Sequence, residues 1–180
     1  MNNKATAIAQ FEEFIKSDDK GILITGTHQY EKHKLAMAVI NKHYTGAKIL
    51  FRINALQNIS DDAFLGWAGL KKQPKAGEKI KIGKNFYQFD SFNNQGTWHK
   101  TDHDFDFAIV YPIDSLCKEK DIKPIQDLFE HKQIKKIILC SWTDKADYDY
   151  SLFSEYHTNH IIYDALEEDP EYHKRVLEHF

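Results

Sequence analysis

Three groups of residues combine types and spacings that could do chemistry. The first is Gly26-Thr-His-Gln-Tyr-Glu-Lys32-His33. A phosphate cradle needs a strand, a turn with inward-pointing amides, a lysine and a hydroxyl, then a helix N-terminus. On the pattern glycine, four residues, glycine, lysine, serine or threonine, Gly26 matches the first glycine and Lys32 the lysine. Thr27 lies inside the turn, Glu31 replaces the second glycine and His33 replaces the hydroxyl residue. The second group is His99, Asp102 and His103, within the run 99–106 that holds two histidines and three aspartates. Such side chains can ligate a hard or borderline divalent cation. The alternative is a polar loop, and the ten histidines of this chain make chance clustering easy.

The third group is Lys79, Lys81 and Lys84 with Phe86 and Tyr87, followed by Phe89 and Phe92. Lysines can follow a nucleic-acid backbone while aromatic rings stack on bases, worth ~1–3 kcal/mol per base. Equally, alternate aromatics can pack a hairpin on the domain while lysines protect its edge. A Gly-x-Ser-x-Gly elbow, a Cys-x-x-Cys pair and a His-Glu-x-x-His helix are all missing, which removes the common hydrolase and zinc signatures.

The chain of 180 residues fits one domain, 1–180, and its 42% hydrophobic and 13% aromatic content argues against disorder. A net charge of −3 excludes a generally basic nucleic-acid coat. The charge is uneven: six lysines face one glutamate across 71–84, a balance of +5, and nine acids face Lys145 across 144–171, a balance of −8. Only Arg52 and Arg175 supply guanidinium groups for bidentate phosphate recognition. Apolar runs fall short of the ~18–20 residues of a bilayer span, so no membrane is expected. The opening Met-Asn-Asn-Lys-Ala-Thr does not read as a secretory signal, and a cytoplasmic location follows. Cys117 and Cys140 are too few for a disulfide framework, and Cys140 sits in an apolar run as a small hydrophobe.

The elements that would position these groups follow from periodicity. Ile8, Phe11 and Ile15 predict an amphipathic helix over 5–16, and Gly21-Ile-Leu-Ile-Thr25 a buried strand. Leu35, Ala36, Val39 and Ile40 predict a helix over 32–43, and Lys48-Ile-Leu-Phe-Arg-Ile53 a second strand. A short helix is expected over 61–70 with Ser60 as its cap. Residues 79–82 and 85–89 flank a Gly83 turn and read as a β-hairpin. Further strands are expected at 105–111, stopped by Pro112, at 135–141 and at 160–163, with helices at 122–131 and around 150–156. Asp169-Pro170 opens a last helix whose face comprises Tyr172, Val176, Leu177 and Phe180.

Alternating strands and helices imply an α/β fold: a three-layer sandwich around a mainly parallel five-stranded sheet. The hairpin then belongs to an insertion, 54–104, between the second and third core strands. Ligands in such sheets sit beyond the carboxyl ends of strands, here 25–27, 111–114 and 141–144.

The order of these pieces resembles the core domain of AAA+ P-loop ATPases. Ile22-Leu-Ile-Thr-Gly26, then Lys32 and Leu35-Ala-Met-Ala38, looks like the family's first strand, loop and helix. Ile113-Asp-Ser-Leu116 is similar to the segment after the acidic Walker B pair. Lys136-Ile-Ile-Leu-Cys-Ser-Trp142 resembles the strand ending in a nucleotide-sensing residue, and 161–166 with 171–180 resembles the last strand and helix.

The departures define what the resemblance implies. The Walker B aspartate and glutamate fall at Tyr111 and Pro112, which can neither hold magnesium nor position water. Glu31 adds a carboxylate where phosphates would lie; two such charges ~4 Å apart repel by ~4 kcal/mol at an effective dielectric near 20. Asp114 reads either as a displaced metal ligand or as a loop cap. The family's helical lid is expected to be absent, the sequence ending at Phe180. The expectation is an eroded nucleotide site at Gly26, Thr27, Glu31, Lys32, His33 and Asp114, with weak ATP binding at most and no magnesium or other cofactor. The implied function is a non-hydrolysing scaffold or adaptor for a protein partner such as an active ATPase or replication factor. Two alternatives stand beside it: a single-stranded nucleic-acid module using 71–92, and an atypical nucleotide- or metal-dependent hydrolase using 99–106.

Overall fold

Gly21-Ile-Leu-Ile-Thr25 has no polar face to offer water, so it must lie inside a sheet covered on both sides. In a computed structural model that describes residues 1–143 and 147–179, this run is β1 (Gly21–Thr25), buried at every position. Asp144, Lys145 and Phe180, which entered the readings above, lie outside the described residues.

The other elements are α1 (Lys4–Lys16), α2 (Lys32–His43), β2 (Lys48–Ile53), β3 (Ile80–Ile82), β4 (Asn85–Ser91), β5 (Asp104–Tyr111), α3 (Asp114–Glu119), α4 (Lys123–Glu130), β6 (Gln133–Cys140), β7 (Asn159–Ile162) and α5 (Pro170–His179). Among the described residues they build one seven-stranded sheet of order β3-β4-β2-β5-β6-β1-β7. Every neighbouring pair is parallel except the β3–β4 hairpin.

The fold is therefore the expected mixed α/β class, but the sheet has seven strands rather than five. The two extra strands come from the hairpin. The segment between β2 and β5 does not stand off the domain; β4 pairs in parallel with β2 from Lys48↔Phe86 to Ile53↔Ser91. The physical reason lies in its inward residues, since Tyr87 and Phe89 join the main core. The α-helix expected over 61–70 is only a short 3-10 turn at Gly66–Ala68, ended by Gly69 in the left-handed region. Residues Tyr150–Tyr156 are likewise 3-10 rather than α.

Side-chain alternation divides the core into two layers. Ile22 and Ile24 of β1 join Phe11 of α1 and Ile40 of α2, while Leu23 joins Leu116 of α3, Leu128 of α4 and Phe153. β1 thus leads into a helix on the first face, whereas its neighbour β6 leads toward Tyr150–Tyr156 on the second. Adjacent strands whose connections leave to opposite faces open a crevice between their carboxyl ends. That crevice lies at 25–27 and 141–143. Among the described residues no helix is long and apolar enough to cross a membrane.

Candidate functional site

The turn from β1 into α2 exists as the spacing predicts, and it lies at that crevice. Gly26 has φ 122°, and a Cβ there would fall 2.1 Å from the Tyr163 carbonyl oxygen. Glycine is required because the chain leaving β7 presses against the turn, a reason quite separate from phosphate approach.

The amides of the turn face their own chain. Thr27 N–H donates to Asp164 Oδ1 at 2.9 Å, and His28 N–H to the Tyr163 carbonyl at 3.2 Å. Gln29 N–H donates to Tyr172 Oη at 3.4 Å, while the Tyr172 hydroxyl donates to Gln29 Oε1 at 2.8 Å. The Thr27 hydroxyl accepts from Ala165 N–H at 3.1 Å and is hydrogen-bonded to His173 Nδ1 at 2.6 Å. The segment 163–173 therefore occupies the amides of Thr27, His28 and Gln29, the first of them with the Asp164 carboxylate.

Lys32 is fully buried at the start of α2. Its Nζ donates to the carbonyls of His28 and Trp142, both at 3.1 Å, which ties the turn after β1 to the turn after β6. Asp114 faces this point from the third strand end. Its carboxylate accepts from Trp142 N–H at 2.6 Å, Thr143 N–H at 2.9 Å and the Thr143 hydroxyl at 3.1 Å. Of the two readings of Asp114, the geometry is that of a loop clasp.

His33 is buried in the first helical turn, stacked on Tyr111 with ring centroids 4.0 Å apart. Its Nε2 lies 2.7 Å from the Phe64 carbonyl, and a carbonyl only accepts, so that nitrogen carries the proton. Nδ1 is buried without a partner, and burial holds the imidazole pKa down at about 3. His33 is thus held as a neutral imidazole packed on Tyr111. Burial likewise raises the phenol of Tyr111 and pushes the thiol of Cys140 up to about 12.

Above the turn, Glu31 pairs with Lys34 at 3.0 Å and His28 with Glu168 at 2.9 Å. An outer hollow of about 270 Å³ is lined by His28, Tyr30, Glu31, Glu168, Asp169 and Tyr172, so carboxylates rather than cations face it. A polyphosphate would meet repulsion there. Beside it Tyr30 and Trp142 are exposed with ring centroids 6.0 Å apart, and Trp67 is exposed across α2.

The remaining sequence candidates fall in two places. His99 and His103 are exposed at the rim of a hollow of about 450 Å³, while the Asp102 carboxylate lies 3.1 Å from Lys48 Nζ and 3.2 Å from Lys79 Nζ. Two ammonium groups already balance that acid, and among the described residues no three histidine, cysteine, aspartate or glutamate side chains are grouped to hold a metal ion. On the hairpin, Lys79, Lys81, Lys84 and Phe86 are exposed, but Tyr87 is only 2% exposed. Tyr87 packs in the core beside Phe89, so its ring is not open to a base. Phe86 pairs across strands with Lys81 on one side and Lys48 on the other.

The most densely built charged centre was not singled out by sequence reasoning. Arg52 of β2, fully buried, binds Asp90 of β4 through Nε at 2.8 Å and Nη2 at 2.7 Å. Its Nη1 reaches the Pro124 carbonyl at 2.7 Å and Asp127 of α4 at 2.9 Å, and the guanidinium lies 4.5 Å from the Trp98 ring centre. Burial pushes the Asp90 carboxyl upward, and the guanidinium opposes that push. Nearby Lys132 donates to the carbonyls of Trp98 and Asp102 and to the Thr101 hydroxyl. An arginine inside an apolar strand is the one local signal that could have pointed here, since such a charge must find partners. No protein-family model matches this chain, and no curated protein matches its sequence.

Proposed function

We propose that the protein is a non-hydrolysing scaffold or adaptor for a protein partner, built on an eroded AAA+-like P-loop core. One observation carries this reading: Thr27, His28 and Gln29 amides and Lys32 Nζ are all bonded to groups of the same chain. Binding a nucleotide there would require breaking these bonds and drawing phosphates past Glu31, Glu168 and Asp169. Tyr111 and Asp114 are also committed, one to stacking on His33 and one to the Trp142–Thr143 turn. Neither side chain is then free to hold a metal or aim a water, which is what supports a reading without hydrolysis.

An adaptor needs a rigid surface with anchors that a partner can bury. Exposed Tyr30, Trp67 and Trp142 supply aromatic area of the kind that dominates binding energy at protein interfaces. The partner class, an active ATPase or a replication factor, follows from the resemblance of the sequence to AAA+ cores. The test is calorimetric titration of the purified protein with ATP and magnesium, together with a turnover assay. No heat of binding and no phosphate release are expected. Turnover above background that disappears in Lys32→Ala would overturn the proposal.

A second reading has its own support in the hairpin, where exposed Phe86 sits between Lys81 and Lys48. It assigns weak single-strand binding to that face, with one stacked ring rather than several. Binding of a labelled oligonucleotide that weakens with salt and is lost in Phe86→Ala would support it; affinity unchanged by Lys81→Ala and Phe86→Ala would remove it.

A further inference from the structure

The sheet has two open ends, and they carry opposite charge. β3 closes one side and β7 the other, and among the described residues no strand pairs outward with either. Beside β3, Ile80 and Ile82 pack against the core while Lys79, Lys81 and Lys84 are exposed. β7 reads Asn159-His160-Ile161-Ile162, with His160 and Ile162 exposed and no lysine or proline along it. Exposed Glu155 precedes it, and Asp164, Glu167 and Glu168 follow it.

An open edge strand is a template for another strand, and lysines at an edge act as a guard against unwanted pairing. That guard is selective, because like charges across a ladder repel and opposite charges attract. β3 laid on β3 would bring lysines face to face, and β7 laid on β7, itself without an acid, would bring together the acidic segments that flank it at Glu155 and 164–168. Only β3 laid on β7 sets the two signs against each other. The amides and carbonyls on the outer sides of these strands then find partners, and exposed Ile162 is covered.

We propose that copies of this chain associate head to tail, the β3 edge of one adding to the β7 edge of the next, so that the sheet continues between molecules. The occupant of the β7 edge is a second copy of this chain. Strands of three and four residues bury little area, so the contact is weak, and its attraction is screened by salt. A contact between different surfaces does not close on itself at two copies, so growth passes beyond the dimer. The inference is independent of what the turn after β1 binds.

Sedimentation velocity of the whole chain at rising concentration, in about 0.05 M and about 1 M salt, tests it. At low salt the mean mass should grow past two copies, and at high salt the association should weaken at least about tenfold. Lys81→Glu with Lys84→Glu should remain monomeric alone, as should Ile162→Lys with Glu167→Lys, all four positions being exposed. An equimolar mixture of the two variants should associate again, because each edge then meets the opposite sign. Circular dichroism melts show that each variant is folded before it is mixed. A wild-type chain that stays monomeric at low salt overturns the proposal. So does growth that stops at the dimer, association that survives the Lys81 and Lys84 reversals, or a mixture that stays monomeric.

Discussion

Two fully buried cations, Arg52 of β2 and Lys32 of α2, are held in contrasting ways. Arg52 is gripped by two carboxylates, a carbonyl and an aromatic face, drawn from β4, α4 and the turn around Trp98. Lys32 occupies the position that a phosphate-binding motif would give it, yet its ammonium reaches the carbonyls of two turns. The arginine without a motif is the stronger structural node; the lysine with a motif is a strut between β1 and β6. The difference teaches that position within a pattern is poor grounds for function when the groups around it have been turned inward. At the end of the sheet where ligands are expected, the chain binds itself.

The comparison breaks first at Asp90. Truncating it to alanine strips the bidentate partner from a buried guanidinium, which should cost about 3–5 kcal/mol by urea unfolding. A cost below about 1 kcal/mol would mean that Arg52 is no node at all. Lys32→Met keeps most of the aliphatic stem and deprives two carbonyls of a donor, so about 1–3 kcal/mol is expected. Equal losses at Asp90 and Lys32 would erase the distinction between the two sites.

His33 tests the same end of the sheet by pH. Its folded pKa of about 3 lies below the ordinary 6.5, so the unfolded chain takes up the proton first. Its neutral packing is fully available above pH 6.5 and is lost as pH falls toward about 3, at up to about 1.4 kcal/mol per pH unit. His33→Phe should flatten that limb in a series of melts across this range; an unchanged slope would assign the loss to another group. The smallest effect belongs to the exposed hairpin, where Lys81→Ala should change stability by no more than about 0.5 kcal/mol. A larger loss there would show that the β3 edge is less exposed than its lysines imply.

Local pattern carried much of the architecture. The bounds of β1, β2 and α2 follow from apolar runs and helical spacing, and the Gly83 turn marks the hairpin. Those signals reside within a dozen residues of one another. Pairing between distant segments was illegible: nothing local to Asn85–Ser91 says that it lies parallel to Lys48–Ile53. Between Gly66 and Gly69 the chain makes a 3-10 turn where a helix over 61–70 capped by Ser60 is expected. Within the candidate site, the strand, turn and helix were readable. The filling of the turn was not, because Asp164 and Tyr172 arrive from more than a hundred residues away.

The sequence by itself determined which segments are strands, that α1, α2, α4 and α5 are helices, and that a lysine starts the helix after β1. Tertiary structure alone decided that this lysine faces carbonyls, that Asp164 accepts from the Thr27 amide, and that Arg52 finds Asp90 and Asp127. The reason is one of range. Periodicity and turn chemistry act between neighbours, whereas a buried donor or charge is satisfied by whichever group the packed sheet brings within about 3 Å.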